Sequence, residues 1–285
     1  GVTKCSLNVD RFDYKVLKLQ KVSANAVYRN HIFKLEDFKV GDSNFIHGQG
    51  IMSMKESEPK RFKGNIRAND IPANQLVSIF GDLFQNGLTG QLKGLNLDLQ
   101  GEGNNWDEIR KTLSGKVAIH LTSGESDIEV LKAGAYQLFD HPSKPVVAKA
   151  VEEPRSEYKN IFGQFLLSRG VAKTENFVYE TENRRSSIVG KLDLGQNSMD
   201  VVMGVAPLAQ LDKFLTKIPI FGKIITGGDE KSLVKAYYTV KGPFESPEAT
   251  PIPFTSLGKK VMGIFQGILQ APQDIFFFPE PEGTN

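Results

Sequence analysis

Cys5 is the only cysteine in the chain, which excludes an internal disulfide framework and any cysteine-based zinc site. It leaves the compartment open, because many proteins of oxidising compartments carry no disulfide. Histidine is almost as scarce: His31, His47, His120 and His141 are scattered, with no pair at metal-ligand spacing. No metal and no cofactor are therefore expected. His47 and His120 fall in alternating stretches and are expected to be ordinary sheet histidines. Neither sign of charge dominates, with 35 Lys and Arg against 33 Asp and Glu interspersed along the chain, so a nucleic-acid partner is not implied. The longest apolar run, Val201 to Leu208, falls far short of the ~18 residues of a spanning helix. The chain starts at Gly1 without a charged-then-apolar leader, and the expectation is a soluble piece of a longer protein.

Catalytic signatures are missing as well. There is no Gly-x-Ser-x-Gly elbow and no P-loop. Gly101-Glu-Gly-Asn-Asn-Trp begins like a dinucleotide loop but lacks the third glycine and a βαβ setting. A bend between strand and helix explains it better. Ser256-Leu-Gly-Lys259 matches Ser-x-x-Lys without that class's companion motifs, and Glu152-Glu153 and Asp229-Glu230 read as solvated loop charge. Gly263 to Gly267 spells Gly-x-x-x-Gly, but in a short helix with lysines this does not signal a membrane dimer. No nucleophile and base stand together, so the chain is read as no enzyme.

What the sequence has in quantity is period-two alternation. Cys5, Leu7 and Val9; Val22, Ala24, Ala26 and Tyr28; Phe33 and Leu35; Phe62, Gly64, Ile66 and Ala68; Leu95, Leu97 and Leu99; Val117, Ile119 and Leu121 each predict a strand with one buried face. Phe177-Val-Tyr-Glu, Ser187 to Leu194, Met199 to Val205 and Leu233 to Gly242 continue the series, and Ile161 to Arg169 is ambiguous between helix and strand. Short helices are expected at Gln75 to Phe80, Trp106 to Leu113, Asp127 to Asp140 and Leu208 to Lys217. The fold class is therefore mostly β, a curled antiparallel sheet forming an elongated apolar groove with amphipathic helices at its edges. The groove spans residues 1–254, with an internal boundary expected near 141–160. Residues 255–278 form a C-terminal helix and the apolar plug Ile275-Phe-Phe-Phe-Pro, and 279–285 a disordered tail.

An apolar sheet face with few helices to cover it must meet something. The candidate lining comprises Ile46, Met52, Met54, Leu95, Leu97, Leu99, Val117, Ile119, Leu121, Ile188, Leu192, Leu194, Met199, Val201, Met203, Val205, Tyr238 and Val240. Ordinary core is the competing account of each residue; flexible, polarisable methionines suit a disordered apolar ligand. In the last helix Leu257, Val261, Ile264, Phe265 and Ile268 form one stripe opposite Lys259 and Lys260. With Phe276 and Phe277 they are candidates for membrane contact, against packing over the end of the sheet.

The run from Gly190-Lys-Leu-Asp-Leu through Val205-Ala-Pro-Leu-Ala-Gln-Leu-Asp-Lys-Phe-Leu, Ile218-Pro-Ile-Phe-Gly-Lys-Ile-Ile-Thr-Gly-Gly and Val240-Lys-Gly-Pro-Phe to Pro251-Ile-Pro-Phe resembles the C-terminal region of AsmA-like proteins. Gly94-Leu-Asn-Leu-Asp-Leu-Gln-Gly-Glu-Gly and Leu113-Ser-Gly-Lys-Val-Ala-Ile are similar to the same family, so the resemblance covers about Leu7 to Leu269. It implies a groove-shaped β-structure in the bacterial periplasm, belonging to a protein anchored in the inner membrane that carries phospholipid toward the outer membrane. The implied partners are phospholipid acyl chains and a membrane surface, with passage along the strands. This stretch shows no anchor and is too short to cross the periplasm, so it is expected to be the C-terminal piece of such a protein. The alternative is a periplasmic scaffold or assembly factor whose free sheet edge pairs with a client strand.

Overall fold

A computed structural model describes residues 1–14, 17–41, 46–56, 58–74, 88–126, 146–147, 156–182, 184–207, 236–244, 246–253 and 256–270. The strands are β1 (Val2–Tyr14), β2 (Leu17–Arg29), β3 (Ile32–Val40), β4 (Ile46–Ser53), β5 (Arg61–Ala68), β6 (Ile71–Pro72), β7 (Gln91–Glu102), β8 (Ser114–Ser126), β9 (Val146–Val147), β10 (Ser156–Ser168), β11 (Val171–Glu180), β12 (Arg184–Asp193), β13 (Ser198–Pro207), β14 (Ala236–Pro243) and β15 (Glu248–Ile252). All fifteen belong to one curled antiparallel sheet, ordered β1-β2-β3-β4-β5-β7-β8-β10-β11-β12-β13-β14-β15-β9, with the short β6 beside β7. Sequence neighbours are almost always sheet neighbours, as hairpin connections dictate. Two of those hairpins turn on paired positive-φ residues, Asn30-His31 and Arg169-Gly170, the backbone that matches strand twist.

The sheet does not break where the sequence suggested a boundary. β8 pairs with β10 across the intervening segment, from Ser126↔Ser156 to Gly115↔Leu167. Val146 and Val147, inside that segment, form β9 and pair with Ala249 and Glu248. Ile161 to Ser168 resolves as strand. Its ambiguity has a physical cause: Ile161 and Phe162 point to opposite faces and both are buried, so no alternation is visible.

Among the described residues, two helices accompany the sheet. α1 (Trp106–Thr112) follows β7 where the sequence predicted it, and Gly101 to Trp106 is the bend leading into it. Asn105 caps it, its side chain accepting from the Glu108 backbone N–H at 3.0 Å while the Glu108 carboxylate accepts from the Asn104 N–H at 2.8 Å. α2 (Lys259–Gln270) lies against β11 and β12. Among the described residues, no helix is long and apolar enough to cross a membrane. The expected helices at Gln75 to Phe80, Asp127 to Asp140 and Leu208 to Lys217, the plug with Phe276 and Phe277, and the tail lie outside the described residues.

Candidate apolar site

Residues paired across antiparallel strands share a face, so the register assigns every strand residue to one side. One row reads Val9, Val22, Val40, Ile46, Ala68, Leu95, Ile119 from β1 to β8. A second reads Leu7, Ala24, Phe38, Gly48, Ile66, Leu97, Val117, Phe165. A third reads Cys5, Ala26, Leu35, Gly50, Gly64, Leu99, Gly115, Leu167, Ala172, Leu192, Met199, Gly242. Further along, Thr174, Gly190, Val201, Val240 and Ala249 align, as do Phe177, Ile188, Met203 and Tyr238. Apart from Thr174, these rows carry only apolar residues and glycine. They define one apolar face, and they run across the strands, not along them. At the ~4.8 Å strand spacing, fourteen neighbouring strands extend it over roughly 60 Å of sheet.

The face changes character along its length. On β12 to β14, Met203 and Val240 are completely buried, and Ile188, Met199, Val201, Val205 and Tyr238 nearly so. On β1 to β5 the same face leaves Leu7 46% and Ile66 39% exposed, together with Phe12, Tyr28 and Phe33. A depression of about 640 Å³ runs over the backbone of the third row at Leu35, Gly50, Gly64, Leu99 and Gly115, but its other lining residues, among them Lys34, Gln49, Ile51, Lys63, Gln100 and Lys116, belong by register to the opposite face, so it is not part of the apolar face. The directly opposed glycines Gly50 and Gly64 withhold side chains there, and a Cβ on Gly64 would lie 2.9 Å from the Gln49 carbonyl oxygen. α1 closes one rim, where Ile109 packs with Leu113, Leu167, Ala172 and Leu194. Arg110 of α1 ties that rim to the β12–β13 turn by donating to Asn197 Oδ1 at 3.0 Å.

Of the predicted lining, Ile46, Leu95, Leu97, Leu99, Val117, Ile119, Leu121, Ile188, Leu192, Met199, Val201, Met203, Val205, Tyr238 and Val240 belong to one continuous cluster on this face. Met52 shares the face, paired with Phe33 and Phe62, but stands outside the cluster. Met54 lies beyond the end of β4 and is exposed, and Leu194 sits in the turn after β12 with the rim residues. The candidates on β12 to β14 are buried, while the more open residues of the same face, Leu7, Phe12, Tyr28, Phe33, Leu35 and Ile66, were not among those predicted. Alternation marked most of their strands. Nothing local in the sequence said that this end of the face would be less covered.

The stripe on α2 proves to be packing. Phe265 is fully buried and Leu257 nearly so, joined by Val261 and Ile264 over Phe162, Val178, Val189 and Tyr237 on the opposite, helix-bearing face. The two most buried members therefore cover the sheet and are not free to meet a bilayer. The Ile268 side chain lies outside the described residues.

Polar groups on the helix-bearing face form a structural network. Glu180 and Arg185 are nearly buried and pair at 3.8 Å, and Asn160 Nδ2 donates to Glu180 Oε2 at 2.9 Å. Burial lowers the His120 pKa, its ring packing edge-on to Phe162 at 6.1 Å. His47 Nε2 donates to the Asp37 carboxylate at Oδ1, 3.0 Å away. Burial also raises the Tyr158 hydroxyl to about 12. Among the described residues no cluster of His, Cys, Asp or Glu could hold a metal. The arrangement offers apolar contact. No family model, curated protein or solved structure matches the chain.

Proposed function

We propose that the chain binds phospholipid acyl chains along its apolar face and passes them on without catalysis. The observation that carries this reading is the exposed apolar face of β1 to β5, continuous through the rows with the buried face of β12 to β14. Burying a methylene is worth ~0.8 kcal/mol, so a chain laid along these rows recovers much of what it loses on leaving a bilayer. Each strand offers similar aliphatic contact, so no position holds the lipid tightly and it can slide. Because the rows cross the strands, the direction of passage is across them, from hairpin to hairpin. The sequence resemblance to AsmA-like proteins supports the same reading. On it, this is the C-terminal part of a bridge-like transporter in the bacterial periplasm, with the whole protein anchored in the inner membrane and delivering toward the outer one.

Native mass spectrometry of the chain after mild extraction tests the proposal. Phospholipid should co-purify and be exchangeable for a fluorescent analogue. Protein that is consistently lipid-free and takes up no analogue contradicts it.

One observation favours a second reading, a scaffold acting through a sheet edge. β1 is a thirteen-residue strand hydrogen-bonded on one side only, to β2, among the described strands, and long free edges recruit further strands. A client peptide that binds the lipid-free chain and is blocked by a proline at Asn8 would favour it.

A further inference from the structure

Leu166 is 57% exposed on β10, on the helix-bearing face, and it stands in a row of lysines. Register places Lys116 and Lys173 on either side of it, Lys191 beyond Lys173, then Asp200 and Lys241. All are exposed. Lys173 and Lys191 are direct cross-strand partners, an arrangement of like charges that costs stability. The carboxylates nearby are otherwise engaged. Asp98, opposite Lys116, is held by Arg67 at 3.1 Å, Asp200 by Lys241 at 3.2 Å, and Asp193 accepts from the Gln196 backbone N–H at 2.9 Å. Among the described residues, Lys116, Lys173 and Lys191 make no ion pair. At ~4.8 Å per strand the row extends roughly 24 Å. Lys259 is exposed at the start of α2, which docks on this same face.

We propose that this lysine row, with Leu166 at its centre, is the surface that seats the protein on an anionic lipid bilayer. Unneutralised lysines held side by side attract a sheet of negative headgroups, and one protruding leucine between them can enter the interface. The three unpaired lysines need an anionic partner, and equivalent charges repeated on successive strands fit a laterally uniform surface better than a discrete acidic peptide. The inference rests on the reading that the protein works at membranes, but not on what the apolar face carries.

The test is flotation of the full chain with vesicles of phosphatidylcholine, with and without one third phosphatidylglycerol. Wild type should float with the anionic vesicles only and detach as salt is raised. The combined Lys116→Gln, Lys173→Gln and Lys191→Gln variant should lose on the order of 100-fold in affinity, and Leu166→Ser a few-fold. Lys4→Gln, on the same face but six strand spacings from Lys116, should change binding less than about twofold, because exposed charges more than a Debye length away are screened. Equal losses from the triple variant and from Lys4→Gln, or anionic vesicles bound as well by the triple variant, overturn the proposal. So does a wild type that ignores vesicles but binds an acidic polypeptide, which would assign the row to a protein partner. The triple variant should still co-purify with phospholipid, so failure here is distinguishable from failure of the lipid-carrying reading.

Discussion

The ring of Phe265 on α2 meets that of Tyr237 on β14 edge-on, centroids 5.3 Å apart, in the space left by Gly204 of β13. A Cβ on Gly204 would lie 3.0 Å from the Phe265 ring. This contact fixes α2 to the sheet, so Phe265→Ala should cost about 3 kcal/mol of stability in a denaturant titration. Limited proteolysis should then cut in residues 256–270 while far-UV circular dichroism retains the β signal. Unchanged protection of α2 would show that the helix is held by something else.

The two ends of the apolar face should respond differently to charge. Val201→Asp or Met203→Asp buries an uncompensated carboxylate and should unfold the chain or cost several kcal/mol. Ile66→Asp lies on the same face where it is open, and should leave the melting temperature within a few degrees while sharply reducing uptake of a fluorescent phospholipid. Equal destabilisation at both ends would remove the distinction between core and lining.

Both faces were legible in the sequence to different depths. Phe62-x-Gly64-x-Ile66 and Val117-x-Ile119-x-Leu121 alternate cleanly, and a period of two assigns a face as soon as one member is known to be buried. That is why fifteen of the predicted lining residues fall in a single cluster. What lies over a residue is decided by partners far away in the chain, so Val201 and Ile66 look alike in sequence and differ entirely in burial. The α2 stripe shows the same limit. Its spacing gave the helix, but whether Phe265 would meet lipid or Gly204 depended on where the sheet had left space.

The buried pair Glu180–Arg185 has side chains only 8% and 11% exposed. Removing one partner strands the other, so Glu180→Gln should destabilise by about 3 kcal/mol. Replacing both partners at once, Glu180→Leu with Arg185→Met, should cost much less than the sum of the two single changes. A double-mutant cycle by urea unfolding reads this directly, and additive costs would mean the pair is not coupled.

Stability should also depend on pH through His120, whose pKa burial lowers from 6.5. Between that lowered value and 6.5 the unfolded chain binds more protons than the folded one, so stability rises with pH across this window and is lost as pH falls through it. Unfolding midpoints from pH 5 to 7.5 should show the slope, and His120→Gln should flatten it. A slope unchanged in the variant would assign it to other groups.

In the membrane-free protein, one face of the sheet, and not the other, should hold acyl chains. Ile66 and Ile51 are comparably exposed, 39% and 45%, and stand on opposite faces of neighbouring strands. A photo-crosslinking amino acid placed at each in turn, irradiated in the purified, membrane-free protein and analysed for attached lipid, tests this most directly. Phospholipid adducts at 66 with none at 51 are the predicted result; adducts at both positions, or at 51 alone, would contradict it.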